Sequence, residues 1–234
     1  MQQITQLRND PDQIDLGIGQ PGFDLLPLDF IQEAAQHFTN QVQREHLQYG
    51  AEAGDPNFLQ ELAYFLTDQY QLPIPSGQLM VTNGISQGLD LVCTLLTRPG
   101  DVIFVEEPTY FLALHLFADH GLQVVGIPMD EEGLLPDALA AALQQHQPVF
   151  LYTIPAFHNP TGRTLSAERR RLILEMSVTF DFLIVADEVY QMLDYGEMPP
   201  APFAALVDSE QECVGVKWLS DEVISTLLDR LNRH

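Results

Sequence analysis

From Val102 to Ala186 the chain alternates between short unbroken apolar runs and longer stretches whose apolar residues recur every three or four positions. The runs predict strands at Val102–Val105, Leu122–Ile127, Val149–Thr153 and Phe182–Ala186. The periodic stretches predict helices at Pro108–Asp119, Pro136–Gln145 and Ser166–Thr179. Strands separated by helices of this length imply βαβ units and a mostly parallel sheet, so the expected class is α/β. Ahead of this block, residues 15–27 carry three glycines and two prolines and read as an irregular arm. A helical pattern follows over Phe30–Val42. Asp55-Pro56 opens another helix, with Asp as cap and Pro in the first turn, whose apolar face is Phe58, Leu59, Leu62, Phe65 and Leu66. Leu79–Thr82 predicts a short strand that Asn83-Gly84 turns into a helix over Ser86–Thr97. Beyond Tyr190, Pro199, Pro200 and Pro202 make an extended connector. The apolar piece VGVKWL then precedes a helix capped by Ser220, with Val223, Ile224, Leu227, Leu228 and Leu231 on one face.

The run Phe182–Ala186 is the pivotal one. It lacks polar alternation, as a strand buried on both faces does, and it stops at Asp187-Glu188, with Tyr190 close behind. Asp187 therefore falls at the carboxyl end of a strand, where open α/β sheets set their ligands. A carboxylate there needs a partner. A protonated ring nitrogen of a cofactor is one such partner; a capping role, with Tyr190 in the core, is the ordinary alternative.

Composition narrows the classes. At 46% hydrophobic and 18% charged the chain reads as a globular protein, and 10 basic against 33 acidic residues give a net charge of −23. That surface repels nucleic acid and anionic membranes, so neither is an expected partner. No apolar run approaches the roughly 18 residues of a membrane span. The first residues, MQQITQLRNDPDQ, hold no apolar signal-peptide region. Two cysteines, Cys93 and Cys213, are too few for a disulfide framework and suit a reducing, cytoplasmic setting. The seven histidines show no metal spacing, so no metal is expected. Lys217 is the only lysine.

Four pieces fall where predicted strands end. Thr82-Asn83-Gly84-Ile85-Ser86 leads a strand into a helix N-terminus, where free amides, the helix dipole and a hydroxyl suit a phosphate. Glu106-Glu107-Pro108-Thr109-Tyr110 sets an aromatic able to stack on a flat ring. Asn159-Pro160-Thr161-Gly162 is a turn on its own merits, and its asparagine amide can donate to a phenolate oxygen. Asp187 with Tyr190 is the fourth. Each piece alone has an ordinary structural explanation, as turn, cap or core. Together, in this order, they meet the needs of pyridoxal phosphate (PLP).

The segments LGIGQPGFD (16–24), LQYGAEAGDPNFLQELAYFL (47–66), VTNGISQGLD (81–90), PGDVIFVEEPTY (99–110), HNPTG (158–162) and VADEVY (185–190) carry a family resemblance. Over roughly residues 12–206 the chain resembles the class I/II PLP-dependent aminotransferases of fold-type I, nearest the branch with 2-aminoadipate and kynurenine aminotransferases and the aminotransferase-like domain of some bacterial regulators. The resemblance implies helices on both faces of the sheet and amino-group transfer between an amino acid and a 2-oxo acid. It implies Gly19 near the substrate carboxylate, and Tyr49 reaching the phosphate of a neighbouring subunit's cofactor in a homodimer. The Ile85 amide and Ser86 would hold the phosphate, Tyr110 would stack on the ring, Asn159 and Tyr190 would bind the phenolic oxygen, and Asp187 would pair with the ring nitrogen.

The pattern breaks after Leu206. The family carries a Ser-x-Ser-Lys segment whose lysine bonds the cofactor and shuttles the proton, and this chain has none. Lys217, 30 residues after Asp187, is the one weak candidate. Aligned on Gly215 it stands about two positions early, roughly 6.6 Å along a strand. The expected organisation is an N-terminal arm and small-domain segment (1–46), an incomplete PLP-binding large domain (47–206) and a divergent tail (207–234). A truncated or frame-shifted product accounts for this most simply, and a non-catalytic fragment or a regulator's effector domain are the alternatives.

Overall fold

The computed structural model describes residues 22, 25–194, 196 and 198–206, together with the backbone of a strand at 213–216. Six strands form one sheet: β1 (Val102–Glu107), β2 (Gln123–Asp130), β3 (Gly133–Leu134), β4 (Phe150–Thr153), β5 (Leu183–Asp187) and β6 (Cys213–Val216). Their order is β3-β2-β1-β4-β5-β6, and every pairing is parallel except β2 with β3. The chain steps outward from β1 to β2, then returns to lay β4 on the other side of β1. The crevice between the carboxyl ends of β1 and β4 is thus a topological switch point, where such sheets bind ligands.

Helices are α1 (Leu28–Gln41), α2 (Pro56–Tyr70), α3 (Gly84–Leu96), α4 (Phe111–Asp119), α5 (Pro136–Leu143) and α6 (Ala167–Phe180). Alternation along the strands sorts the core into two layers. Ile103, Val105, Phe150, Tyr152 and Val185 face Leu89, Val92 and Cys93 of α3 and Ala113 and Phe117 of α4. Phe104, Leu151, Ile184 and Ala186 face Leu139 and Leu143 of α5, Ile173 and Leu174 of α6, and Phe203. The expected α/β sheet with helices on both faces is therefore present.

Local chemistry sets several element ends. Asp55 caps α2, its Oδ1 accepting from the amides of Asn57 (2.9 Å) and Phe58 (3.0 Å), with Pro56 in the first turn. The β2–β3 hairpin, which the hydropathy pattern did not announce, is clamped to α6 by Arg169. Its guanidinium takes Asp130 with two prongs, 2.6 and 2.7 Å, and donates to the Gly133 carbonyl at 2.9 Å. That hydrogen bonding holds the exposed Asp130 carboxyl down at about 2. Gly133 sits at φ +94, and a Cβ there would meet Leu165 Cδ1 at 2.9 Å and Leu165 Cα at 3.0 Å.

Two expectations are corrected. Leu79–Thr82 joins no sheet; apart from the local turn bonds of Leu79 to Ser76 and of Gly84 to Thr82, its backbone bond is from the Val81 amide to the Ala53 carbonyl at 2.8 Å. A strand exists only as a member of a ladder, and no other strand lies beside these residues among those described. The helix expected from Pro108 begins at Phe111, because Tyr110 takes an extended conformation and serves as its N-cap. The helix expected after Ser220 lies outside the described residues.

Candidate functional site

The site is built at the carboxyl ends of β1, β4 and β5. β5 is buried along all but its first residue and delivers Asp187 at its last position. Asp187 lies two residues beyond Val185, so it faces the same layer as Tyr152, which is level with Val185 on β4. This diagonal relation is within reach of a long aromatic side chain. The Tyr152 hydroxyl donates to Asp187 Oδ2 at 2.7 Å. Oδ1 of the same carboxylate is buried and has no hydrogen-bond partner. Burial pushes the Asp187 carboxyl up to about 6, against smaller downward pulls from the Tyr152 hydroxyl and the neighbouring Val189 amide, while Glu106 adds a small upward push. Burial and Asp187 together keep the Tyr152 phenol protonated well above its usual range.

Around this carboxylate, Ile85, Tyr110 and Tyr190 are half-buried and pack on the core layer that contains Tyr152 and Val185. Tyr110 stands close enough to Tyr190 and Asp187 for both to add to the rise that burial causes in its phenol. Asn159 Nδ2 donates to the Tyr190 hydroxyl at 3.5 Å, a long bond that joins the turn after β4 to the segment after β5. At the start of α3, Gly84 takes φ +75, a conformation suited to glycine. The Gly84 amide bonds the Thr82 carbonyl at 2.8 Å, but no N-cap side chain occupies that helix end, so the Ile85 and Ser86 amides are available to an anion.

A second buried cluster locks the β1–β4 crevice. Glu106, 1% exposed, accepts from the Thr153 hydroxyl at 2.7 Å and the Ile154 amide at 2.8 Å. His158 Nε2 approaches the same carboxylate at 3.1 Å, too bent for a hydrogen bond, while its Nδ1 meets the Thr161 hydroxyl at 2.9 Å. These contacts fix the turn that carries Asn159. On the opposite face Glu188 accepts from the Phe203 amide at 2.9 Å, and burial raises its carboxyl to about 7. Beside it the wholly buried Arg170 donates to the carbonyls of Leu165, Pro155 and Ala201. The arrangement offers an anion seat, an aromatic face, a hydroxyl and an amide donor in Tyr190 and Asn159, and a buried carboxylate oxygen without a partner.

Comparison with known proteins agrees with this geometry. The family model described as aminotransferase class I and II matches residues 11–220. The chain belongs to the class I and II aminotransferase family. It is similar to aromatic-amino-acid aminotransferase 1 of Thermococcus litoralis, 34% identical over 210 residues, which cover 88% of this chain and 50% of that protein. It is also similar to an HTH-type transcriptional regulator of Bacillus subtilis, YdfD, 30% identical over 206 residues, covering 88% of this chain and 42% of the regulator. Among solved structures, the Pyrococcus horikoshii kynurenine aminotransferase, determined in complex with PMP, KYN as substrates and KYA as products, superposes with a TM-score of 0.79 at 28% identity. That match covers 92% of this chain and 58% of the other. The chain spans about half the length of the curated relatives it matches.

Of the residues that the aminotransferase resemblance singled out, the structure brings Ile85, Tyr110, Asn159, Asp187 and Tyr190 together at the carboxyl end of the sheet. Ser86 is exposed beside Ile85. Tyr49 is fully exposed, at 103%, away from this group's core. Gly19 and Lys217 lie outside the described residues. Val216 is level with Asp187 in the β5–β6 ladder, and Lys217 follows it in the sequence. Tyr152, Glu106 and His158 escaped the sequence reading. Tyr152 and Thr153 are the polar-tipped residues of an otherwise apolar strand, a hint that each hydroxyl needs a buried partner. Glu106 ends the run VIFV as Asp187 ends LIVA, the same signature on a neighbouring strand.

Proposed function

We propose that this chain carries the cofactor-holding part of a PLP-dependent aminotransferase that moves an amino group from an amino acid to a 2-oxo acid. One observation carries the reading: a buried carboxylate, Asp187, with one oxygen bonded and the other unpartnered, at the strand end where a protonated pyridine nitrogen would lie. The residues present fit PLP. The Ile85 amide and the Ser86 hydroxyl would hold its phosphate at the uncapped end of α3, and Tyr110 would cover the ring. Asn159 and Tyr190 would donate to the phenolic oxygen. Asp187 would keep the ring nitrogen protonated. When bound, PLP supplies the electron withdrawal that makes loss of the substrate Cα proton possible.

Gly19 is proposed beside the substrate carboxylate, and Lys217 as the only amine in the chain able to bond the cofactor and carry the proton. We propose a homodimer in which Tyr49 reaches the neighbouring subunit's phosphate; its full exposure supports that role. Division at residues 46 and 206 into arm, large domain and tail belongs to the same reading. A cytoplasmic setting is supported by the two cysteines; among the described residues no helix is long and apolar enough to cross a membrane. The regulator relative does not change the reading, because a net charge of −23 opposes DNA contact by this chain.

The test is a PLP titration of the chain followed by borohydride reduction and peptide mapping. Saturable binding lost in Asp187→Ala, with a reduced adduct on Lys217, is the expected result. Binding without that adduct removes Lys217 from the mechanism. No binding, or binding indifferent to Asp187, overturns the cofactor assignment.

A further inference from the structure

We propose that Tyr152 is a positioning residue: by donating its phenolic hydrogen to Asp187 Oδ2 it fixes the carboxylate with Oδ1 turned to the cofactor's ring nitrogen. This rests on the reading above and adds a residue to it. The bond is 2.7 Å, and both partners are buried, Tyr152 at 0% and Asp187 at 4% exposure. The ring cannot swing away, because Phe117 meets it edge-on at 5.4 Å and packs in turn on Phe150 at 5.9 Å. A carboxylate with two equivalent oxygens would be free to turn about its χ2 bond. Occupying one oxygen with a neutral donor leaves a single orientation and a single open acceptor, the buried Oδ1. A phenol suits this task better than a cation, which would neutralise the charge that the ring nitrogen requires.

The same bond biases the carboxyl toward its charged form, because a donor to a carboxylate favours ionisation. The titratable groups around Asp187 are Tyr152 from β4, Glu106 from β1, Tyr110 at the start of α4 and Tyr190 after β5, with Glu188, the next residue, turned to the opposite face but near enough to feel its charge. Only Tyr152 among them donates a hydrogen bond to Asp187.

Two measurements on the full chain test the proposal. In the ligand-free protein, carbon-13 carboxyl NMR, with Asp187 assigned through Asp187→Asn, gives its titration midpoint. Tyr152→Phe should move that midpoint upward, and Phe117→Leu, which frees the ring but keeps the hydroxyl, should move it part of the way. An unmoved midpoint in folded Tyr152→Phe overturns the proposal, whatever the chain binds. Fluorescence titration then compares PLP with an analogue that has carbon in place of the ring nitrogen. Tyr152→Phe should weaken PLP roughly tenfold, the worth of one hydrogen bond, and leave the analogue unchanged. Equal weakening of both makes Tyr152 a packing residue and overturns the positioning role. If the unaltered chain binds neither, the cofactor reading fails, and the NMR midpoint alone decides the Tyr152–Asp187 coupling.

Discussion

The sheet and the segment that precedes it obey different rules. Between Val102 and Asp187 nearly every inward apolar side chain finds a partner within the chain, and most of the buried polar groups are tied down: Glu106 to Thr153, Arg170 to three carbonyls, and Asp187 to Tyr152 through one of its two oxygens. In α1, by contrast, not one residue is buried; Leu28, Phe30, Ile31 and Phe38 are all exposed, as are Leu47 and Tyr49 beyond it. α1 is as amphipathic as a core helix, yet none of its residues is buried by the described residues, and Phe38 meets only the His46 ring, at 6.2 Å, among the aromatic contacts. The sheet is a self-sufficient fold. The N-terminal segment carries exposed apolar side chains that the proposed dimer would cover.

The sharpest way to break this contrast is to remove a cation from the self-sufficient half. Arg170→Met takes a donor from the carbonyls of Leu165, Pro155 and Ala201, of which Pro155 keeps the Leu165 amide, and removes the positive charge that acts on Glu188. Burial already lowers the Arg170 guanidinium to about 10, with Glu188 and then Glu106 opposing. Loss of one member of a buried charged network costs about 3–5 kcal/mol. Urea unfolding should record a loss of that order; a loss under about 1 kcal/mol would mean the network adds no stability. Next in size is Gly133→Ala, which forces a Cβ against Leu165 at a positive φ and should cost about 1–3 kcal/mol. If the variant is as stable as the parent, the hairpin is not held tightly to α6.

The pH dependence sharpens the picture further. Glu188 is raised from 4.5 to about 7 and Asp187 from 3.8 to about 6, both by burial first. A carboxyl whose folded value lies above its unfolded one stays protonated longer in the folded state, so the folded state binds more protons between the two values. The contribution of these two groups to stability is therefore greatest below about pH 4 and falls as pH rises towards 7. Glu188→Gln should flatten its share of this slope, seen as urea midpoints that differ less between pH 5 and pH 7.5 than in the parent. An unchanged slope would remove Glu188 as its source. A smaller effect is expected at the edge of the N-terminal segment, where Asp55→Ala removes the cap of α2 and should cost about 1 kcal/mol.

The sequence made the sheet legible because its signals are local. Apolar runs of strand length, each ended by an acid or a turn, located β1, β2, β4 and β5 without any knowledge of their neighbours. The site was legible for a related reason: strand ends are where side chains leave the core, so Tyr110, Asn159 and Asp187 could be located by counting. Tyr152 and Glu106 were not, since their roles depend on which strands lie side by side, and a parallel pairing such as β1 with β4 leaves no mark on either sequence. Leu79–Thr82 failed in the opposite sense. Its residues favour a strand, but a strand needs a ladder partner, and the described residues offer none.

The smallest expected effect is the one that bears most on the N-terminal segment. Phe30→Ala and Ile31→Ala exchange two half-exposed side chains of α1 for a better helix former, and neither is buried in the core. In dilute solution their combined cost should stay within about 0.5 kcal/mol, as for surface substitutions generally. If α1 covers a second copy, the same pair should weaken self-association measured by sedimentation, while leaving the unfolding midpoint of the monomer where it was. A loss of monomer stability comparable to that of Gly133→Ala would mean α1 packs on its own sheet after all. No change in association would leave its apolar face without the partner proposed for it.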